Sequence, residues 1–108
     1  MADVAAILSD LYVHIGRYGD ACAQAERAFE LAKHGNEDHV LLAAASFGYA
    51  TACLGNPEGG RRRLKEAFER ATQTDRPELI EAAGLHYVEL LMGPLNQMDE
   101  GVEVAKAT

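Results

Sequence analysis

The chain has 108 residues, a length typical of one domain, and a formal net charge of -7 at pH 7. This acidic balance disfavours binding to nucleic acid or to an anionic membrane, because both are themselves negatively charged. The sequence has no apolar run long enough to span a membrane, and its start lacks the basic and long apolar segments of a secretory signal. We therefore expect a cytoplasmic protein, in which Cys22 and Cys53 are reduced.

Apolar residues recur at spacings of three and four along most of the chain, which predicts helices. We place six of them, at about 3–15, 18–34, 36–55, 57–72, 77–92 and 99–107. Gly16 and Gly55 follow the first and third helices, as glycine does at a left-handed helix end. Pro57 and Pro77 stand at first helical positions. The third helix is apolar or small on nearly every side, so we expect it at the centre of the domain.

Similar segments recur at a spacing of about 40 residues, which indicates an internal repeat. Gly16 and Gly55 precede the second and fourth helices in the same way, and Asn96 stands at the matching place before the sixth helix. Asparagine also tolerates the left-handed conformation. The six helices therefore pair into hairpins at 3–34, 36–72 and 77–107, within a single domain at 1–108.

The first hairpin resembles a tetratricopeptide repeat (TPR), and the residues that carry the resemblance are Leu8, Ser9, Tyr12, Gly16, Tyr18, Ala21 and Ala28. The second hairpin keeps part of the motif but has Thr51 in place of an aromatic residue and Gly60 in place of alanine. The third is the weakest match, because Glu89 occupies the place of a small residue. The resemblance implies an all-α fold, in which about three antiparallel helical hairpins stack as a short right-handed TPR-like solenoid.

A softer resemblance links the longer repeats, from 76–80 to 101–105, to the helical arrays of large transcription regulators. Those regulators carry an ATPase and a LuxR-like DNA-binding domain. The resemblance implies that this chain is a fragment of such an array. The chain itself has no glycine loop with lysine for binding phosphate, so any ATPase would lie outside it.

The TPR resemblance also implies a function as a protein- or peptide-interaction scaffold, in which the first helix of each hairpin lines a concave groove. The partner-binding positions would be Asp10, His14, Tyr49, Cys53, His86 and Leu90. This surface is acidic at one end and apolar in the middle, so we expect a partner with an apolar anchor and a basic end. The short last helix leaves an open apolar side. Either the array continues, or two chains pair as a homodimer through their terminal helices.

Three further features are candidate sites of chemistry. Arg61, Arg62 and Arg63 form a candidate anion-binding run, although neighbouring acids favour an ordinary solvated helix face. His86 and Glu89 lie one helical turn apart and are candidates to share a metal or a proton, as is the segment at 34–39.

No second inward pair and no nucleophile with a base accompany these residues, so the sequence predicts no metal, no cofactor and no enzyme. Two alternatives remain open. One is an effector-sensing module of a transcription regulator. The other is a small helical metal-binding or enzymatic bundle centred on His86 and Glu89.

Overall fold

The computed structural model describes residues 2–32, 37–93 and 95–108. Within these ranges the chain forms six helices and no strand, which confirms the all-α prediction. The helices are α1 (Ala2–His14), α2 (Tyr18–Leu31), α3 (Glu37–Cys53), α4 (Pro57–Thr72), α5 (Pro77–Met92) and α6 (Met98–Ala107). The predicted end of the second helix and start of the third, at 33–36, lie outside the described residues. None of the described helices is both long enough and apolar enough to cross a membrane.

Three turns of the chain share a left-handed residue. The backbone angle φ is 80° at Gly16, 114° at Gly55 and 52° at Asn96. After Gly16, the Arg17 N–H donates to the Tyr12 carbonyl at 2.8 Å, and the equivalent bond after Gly55 is 3.2 Å long. In both turns, the residue after the left-handed glycine donates its N–H to a carbonyl of the last helical turn, which ends the helix. The prediction that asparagine substitutes for glycine in the third turn is confirmed.

The helices pack as a series in which α3 is central. It contacts α1 and α2 on one side and α4 and α5 on the other, while α5 in turn contacts α4 and α6. The odd-numbered helices therefore lie side by side, with α3 between α1 and α5. The predicted central position of the third helix agrees with these contacts and follows from its apolar and small residues, which are covered on several sides.

Small residues bring α3 and α4 unusually close together. A Cβ atom at Gly60 would lie 2.5 Å from the Cβ atom of Ala52, and one at Gly48 would lie 3.0 Å from the Cγ atom of Leu64. Neither position has room for a methyl group unless the helices move apart. Glycine at position 60 therefore permits the close approach of α3 and α4.

Candidate functional site

Five of the six predicted partner-binding residues come together on the face formed by α1, α3 and α5, which we call the odd-helix face. Tyr18 and Glu89 complete the group. We refer to these seven residues as the polar cluster: Asp10, His14, Tyr18, Tyr49, Cys53, His86 and Glu89. Their side chains contact one another in sequence, so the cluster is continuous from α1 to α5.

A hydrogen bond between Asp10 and His86 joins α1 to α5 across α3. The distance from His86 Nε2 to Asp10 Oδ1 is 2.6 Å, and the two residues are 76 positions apart in the sequence. Ser46 of α3 is fully buried, and it acts to lower the pKa of Asp10. The carboxylate and the imidazole ring therefore meet near a small polar residue of the central helix.

The bond to Asp10 fixes the protonation pattern of the His86 ring. An ionised carboxylate only accepts hydrogen bonds, so His86 Nε2 carries a hydrogen and donates it. The His86 side chain is 3% exposed, and its other nitrogen, Nδ1, is buried without a hydrogen-bond partner. Glu89 Oε1 lies 3.7 Å from Nδ1, too far for a hydrogen bond. The half-exposed Glu89 carboxylate thus covers an unused nitrogen.

Asp10 stays ionised because it lies between two histidines. Burial acts to raise the pKa of Asp10, but the hydrogen bond from His86 and the charges of both histidines outweigh it, and the net shift is downward. His14 Nδ1 is 2.8 Å from the backbone carbonyl of Asp10, and this bond raises the pKa of His14. A carboxylate at the centre of the cluster therefore gives it negative character.

Two tyrosines form the aromatic part of the cluster. The Tyr49 ring centroid lies 5.6 Å from that of His86 and 6.2 Å from that of Tyr18. Both tyrosines lie beside Cys53 and act to lower the pKa of its thiol. Burial is the main cause that raises the pKa of Tyr49, to about 12, and it also raises the pKa of the Cys53 thiol. A protonated thiol is a poor nucleophile, so Cys53 contributes surface rather than reactivity.

Leu90, the sixth predicted partner-binding residue, is not at the surface. Its exposed fraction is 0%, and it packs in the main core with Leu64 and Tyr87. A partner cannot reach it in this structure, which corrects its assignment to the groove. Leu90 lies one helical turn after His86, on the side of α5 that packs into the main core.

The three arginines of the predicted anion site point to different places. Arg61 forms a 2.6 Å ion pair with Glu100 of α6, Arg63 lies 4.6 Å above the Phe47 ring, and Arg62 is exposed. Successive helix residues are rotated by about 100°, so neighbours in sequence do not face one ligand. The structure does not bring these residues together as an anion site.

The Arg61–Glu100 pair has a structural role instead. Glu100 also accepts a hydrogen bond from the Tyr87 hydroxyl at 2.9 Å, and the bond from Arg61 is the main cause that lowers the pKa of Glu100. One carboxylate of α6 is therefore held by α4 and α5 together. This contact fixes the position of the last helix.

The residues predicted as candidate metal ligands do not form a metal-binding site within the described parts of the chain. Among the described residues, no group of three histidine, cysteine, aspartate or glutamate side chains is placed to hold a metal ion. His34 lies outside the described residues, and Asp38 forms a 2.6 Å ion pair with Arg76. His86 and Glu89 remain a pair without a third ligand.

Comparison of the chain with protein-family models, with curated proteins and with solved structures finds no match.

Proposed function

We propose that this chain is a protein- or peptide-interaction scaffold of the TPR type, in which a partner segment binds along the odd-helix face. The serial packing of the odd-numbered helices and the matching left-handed turns support a short right-handed solenoid of three hairpins. The observation that most supports this proposal is that five residues, predicted to line the groove, form one connected cluster. In such a solenoid the odd-helix face is the concave groove.

The partner proposed here presents a cationic side chain next to an apolar anchor. Asp10 and Glu89 supply carboxylates that are 29% and 47% exposed, and the cluster contains no lysine or arginine. The rings of Tyr18 and Tyr49 offer faces on which an ammonium or guanidinium group can rest. An arginine or lysine of the partner would meet carboxylates on α1 and α5 and aromatic faces between them.

A binding role fits the side chains better than catalysis does. The Ser46 hydroxyl donates to the Leu42 carbonyl at 3.3 Å and is fully buried, while burial raises the pKa of the Cys53 thiol. Neither is activated as a nucleophile. We therefore propose a non-enzymatic protein.

A second candidate function is a metal-binding or enzymatic helical bundle. One observation favours it: Nδ1 of His86 has no hydrogen-bond partner and lies beside Glu89. A metal held there would raise the melting temperature, and a chelator would lower it. We expect no change in melting with Zn²⁺ or with a chelator. A chelator-dependent fall in melting temperature would favour this candidate over the scaffold.

Peptide binding tests the proposed function. Two capped, fluorescently labelled nine-residue peptides share a Leu-x-x-Leu core, and carry either two arginines or two glutamates beside it. We expect fluorescence anisotropy to rise with the arginine peptide only. Glu89→Gln should weaken this binding about fivefold, because a partly exposed charged contact contributes about 1 kcal/mol. Glu26→Gln, an exposed change on α2, is the matched control and should bind as the wild type does. Equal binding of both peptides, or equal loss in both variants, would contradict the proposal.

A further inference from the structure

The α1 helix carries large apolar side chains on its solvent side. Val4, Ile7, Leu11 and Ile15 are 45%, 53%, 54% and 65% exposed. Their spacings of three, four and four residues place them in one stripe along the helix. The Ile15 N–H donates to the Leu11 carbonyl, so the helical register continues to the end of the stripe. We call these four residues the α1 stripe.

The opposite side of α1 is already used by the fold. Ala5, Ala6, Ser9 and Val13 are buried against α2 and α3. At about 100° per residue, this buried side lies roughly opposite the stripe. A helix that is apolar on both sides is normally covered on both. Single exposed apolar residues need no explanation, but four in a continuous row indicate an interface.

The spacing of the stripe is self-complementary in an antiparallel arrangement. When two copies of α1 run in opposite directions, Val4 faces Ile15 of the second copy, and Ile7 faces Leu11 of the second copy. Two-fold symmetry then repeats each contact, as in an isologous interface. The opposed helix directions also bring each positive helix end beside a negative one.

The charges beside the stripe favour the same arrangement. Asp3 and His14 lie on one flank of α1, at its two ends. The antiparallel pairing places Asp3 beside His14 of the second copy at both ends, whereas a parallel pairing would place Asp3 and His14 of the second copy at opposite ends of the interface. The hydrogen bond to the Asp10 carbonyl raises the pKa of His14, which favours its cationic form.

The opposite end of the molecule offers a less suitable surface. Leu85 of α5 is 53% exposed, but Glu81 and Glu89 are exposed one turn before and after it. Head-to-tail stacking of α1 on this surface would bring acids near Asp3 and Asp10. Like charges at a contact are unfavourable, so charge favours α1 against α1.

We propose that a second copy of this chain covers the α1 stripe, forming a two-fold dimer through antiparallel α1 helices. The dimer interface and the peptide site share only His14, because the stripe and Asp10 lie on different sides of α1 and Glu89 lies on α5. Failure of the dimer would leave the proposed function untouched.

Sedimentation equilibrium over a range of concentrations tests the dimer. The wild type should be a dimer with a dissociation constant in the micromolar range, typical of a small interface. Leu11→Gln should weaken it at least about tenfold, since one half-exposed leucine is lost from each side. Leu54→Gln changes a side chain that is 59% exposed at the end of α3 and is the control; it should not alter association. Circular dichroism verifies that both variants fold.

Cysteine cross-linking tests the direction of the helices. A mixture of Val4→Cys and Ile15→Cys proteins should form a mixed disulfide under mild oxidation, while Val4→Cys alone should not cross-link through the new residue. A wild type that stays monomeric at all concentrations would overturn the proposal. Species larger than a dimer that disappear with Leu85→Gln would also overturn it, in favour of head-to-tail stacking.

Discussion

Removal of the Asp10 carboxylate should destabilise the whole domain, because it breaks the bond that joins α1 to α5. In Asp10→Ala the donor of His86 Nε2 remains buried, with its partner removed. An unsatisfied buried donor costs about 1–3 kcal/mol. We expect a loss in this range, although Asp10 is partly exposed and a water molecule can take its place at the lower end.

A second substitution separates the unpaired donor from other effects of the change. His86→Phe keeps an aromatic ring in the buried site but removes both ring nitrogens. Added to Asp10→Ala, it should restore part of the lost stability, because no polar atom is left without a partner. The double-mutant cycle should therefore show a coupling energy of about 1 kcal/mol or more between the two positions.

Urea denaturation followed by circular dichroism measures these differences. A loss of 1 kcal/mol corresponds to roughly 4–8 °C in melting temperature for a domain near this size. Glu103→Ala is the control, since its weak pair with Lys106 is largely exposed and should contribute less than about 0.5 kcal/mol. If Asp10→Ala costs no more than Glu103→Ala, the bond does not join the hairpins and the reasoning fails.

Two further predictions concern packing and pH. Gly60→Ala should destabilise the domain by about 1–3 kcal/mol, because its methyl group would meet Ala52. Gly19→Ala places its methyl group in open space and should stabilise the domain by about 0.4–1 kcal/mol. Thermal melts measure both variants, and a shift of the same sign in both would refute this prediction. Because the pKa of His14 is raised on folding, its contribution to stability is complete below its ordinary value of 6.5 and is lost as the pH rises through the raised value. The melting temperature should therefore fall over that window in the wild type and less so in His14→Asn. Equal pH profiles would show that the bond to Asp10 does not shift His14.

The sequence predicts the structure well where neighbouring residues alone decide the backbone conformation. Gly16, Gly55 and Asn96 adopt the left-handed conformation because few other residues tolerate it, so the turns and the pairing of helices around them were predictable. Helix limits followed similarly from proline and from apolar spacing. The fifth helix begins at Pro77, as predicted, although its N-cap, Arg76, makes no side-chain cap hydrogen bond.

Residues whose surroundings come from distant parts of the chain were not predictable in this way. The partner of Arg61 is Glu100, 39 positions away, and no local pattern indicates it. Leu90 has the spacing of a groove residue, but the same spacing also marks the core, and only the packing of α5 distinguishes the two. The Asp10–His86 bond likewise depends on how α1 and α5 sit across α3.

Mapping of a bound peptide onto the odd-helix face is the most direct test of the central claim. Amide shifts of the ¹⁵N-labelled chain would be followed as the arginine-bearing Leu-x-x-Leu peptide is added. We expect the largest changes at Asp10, His14, Tyr49 and Glu89, and little change along α4. Changes concentrated on α2 and α4, or none at all, would contradict the assignment of this face as the binding surface.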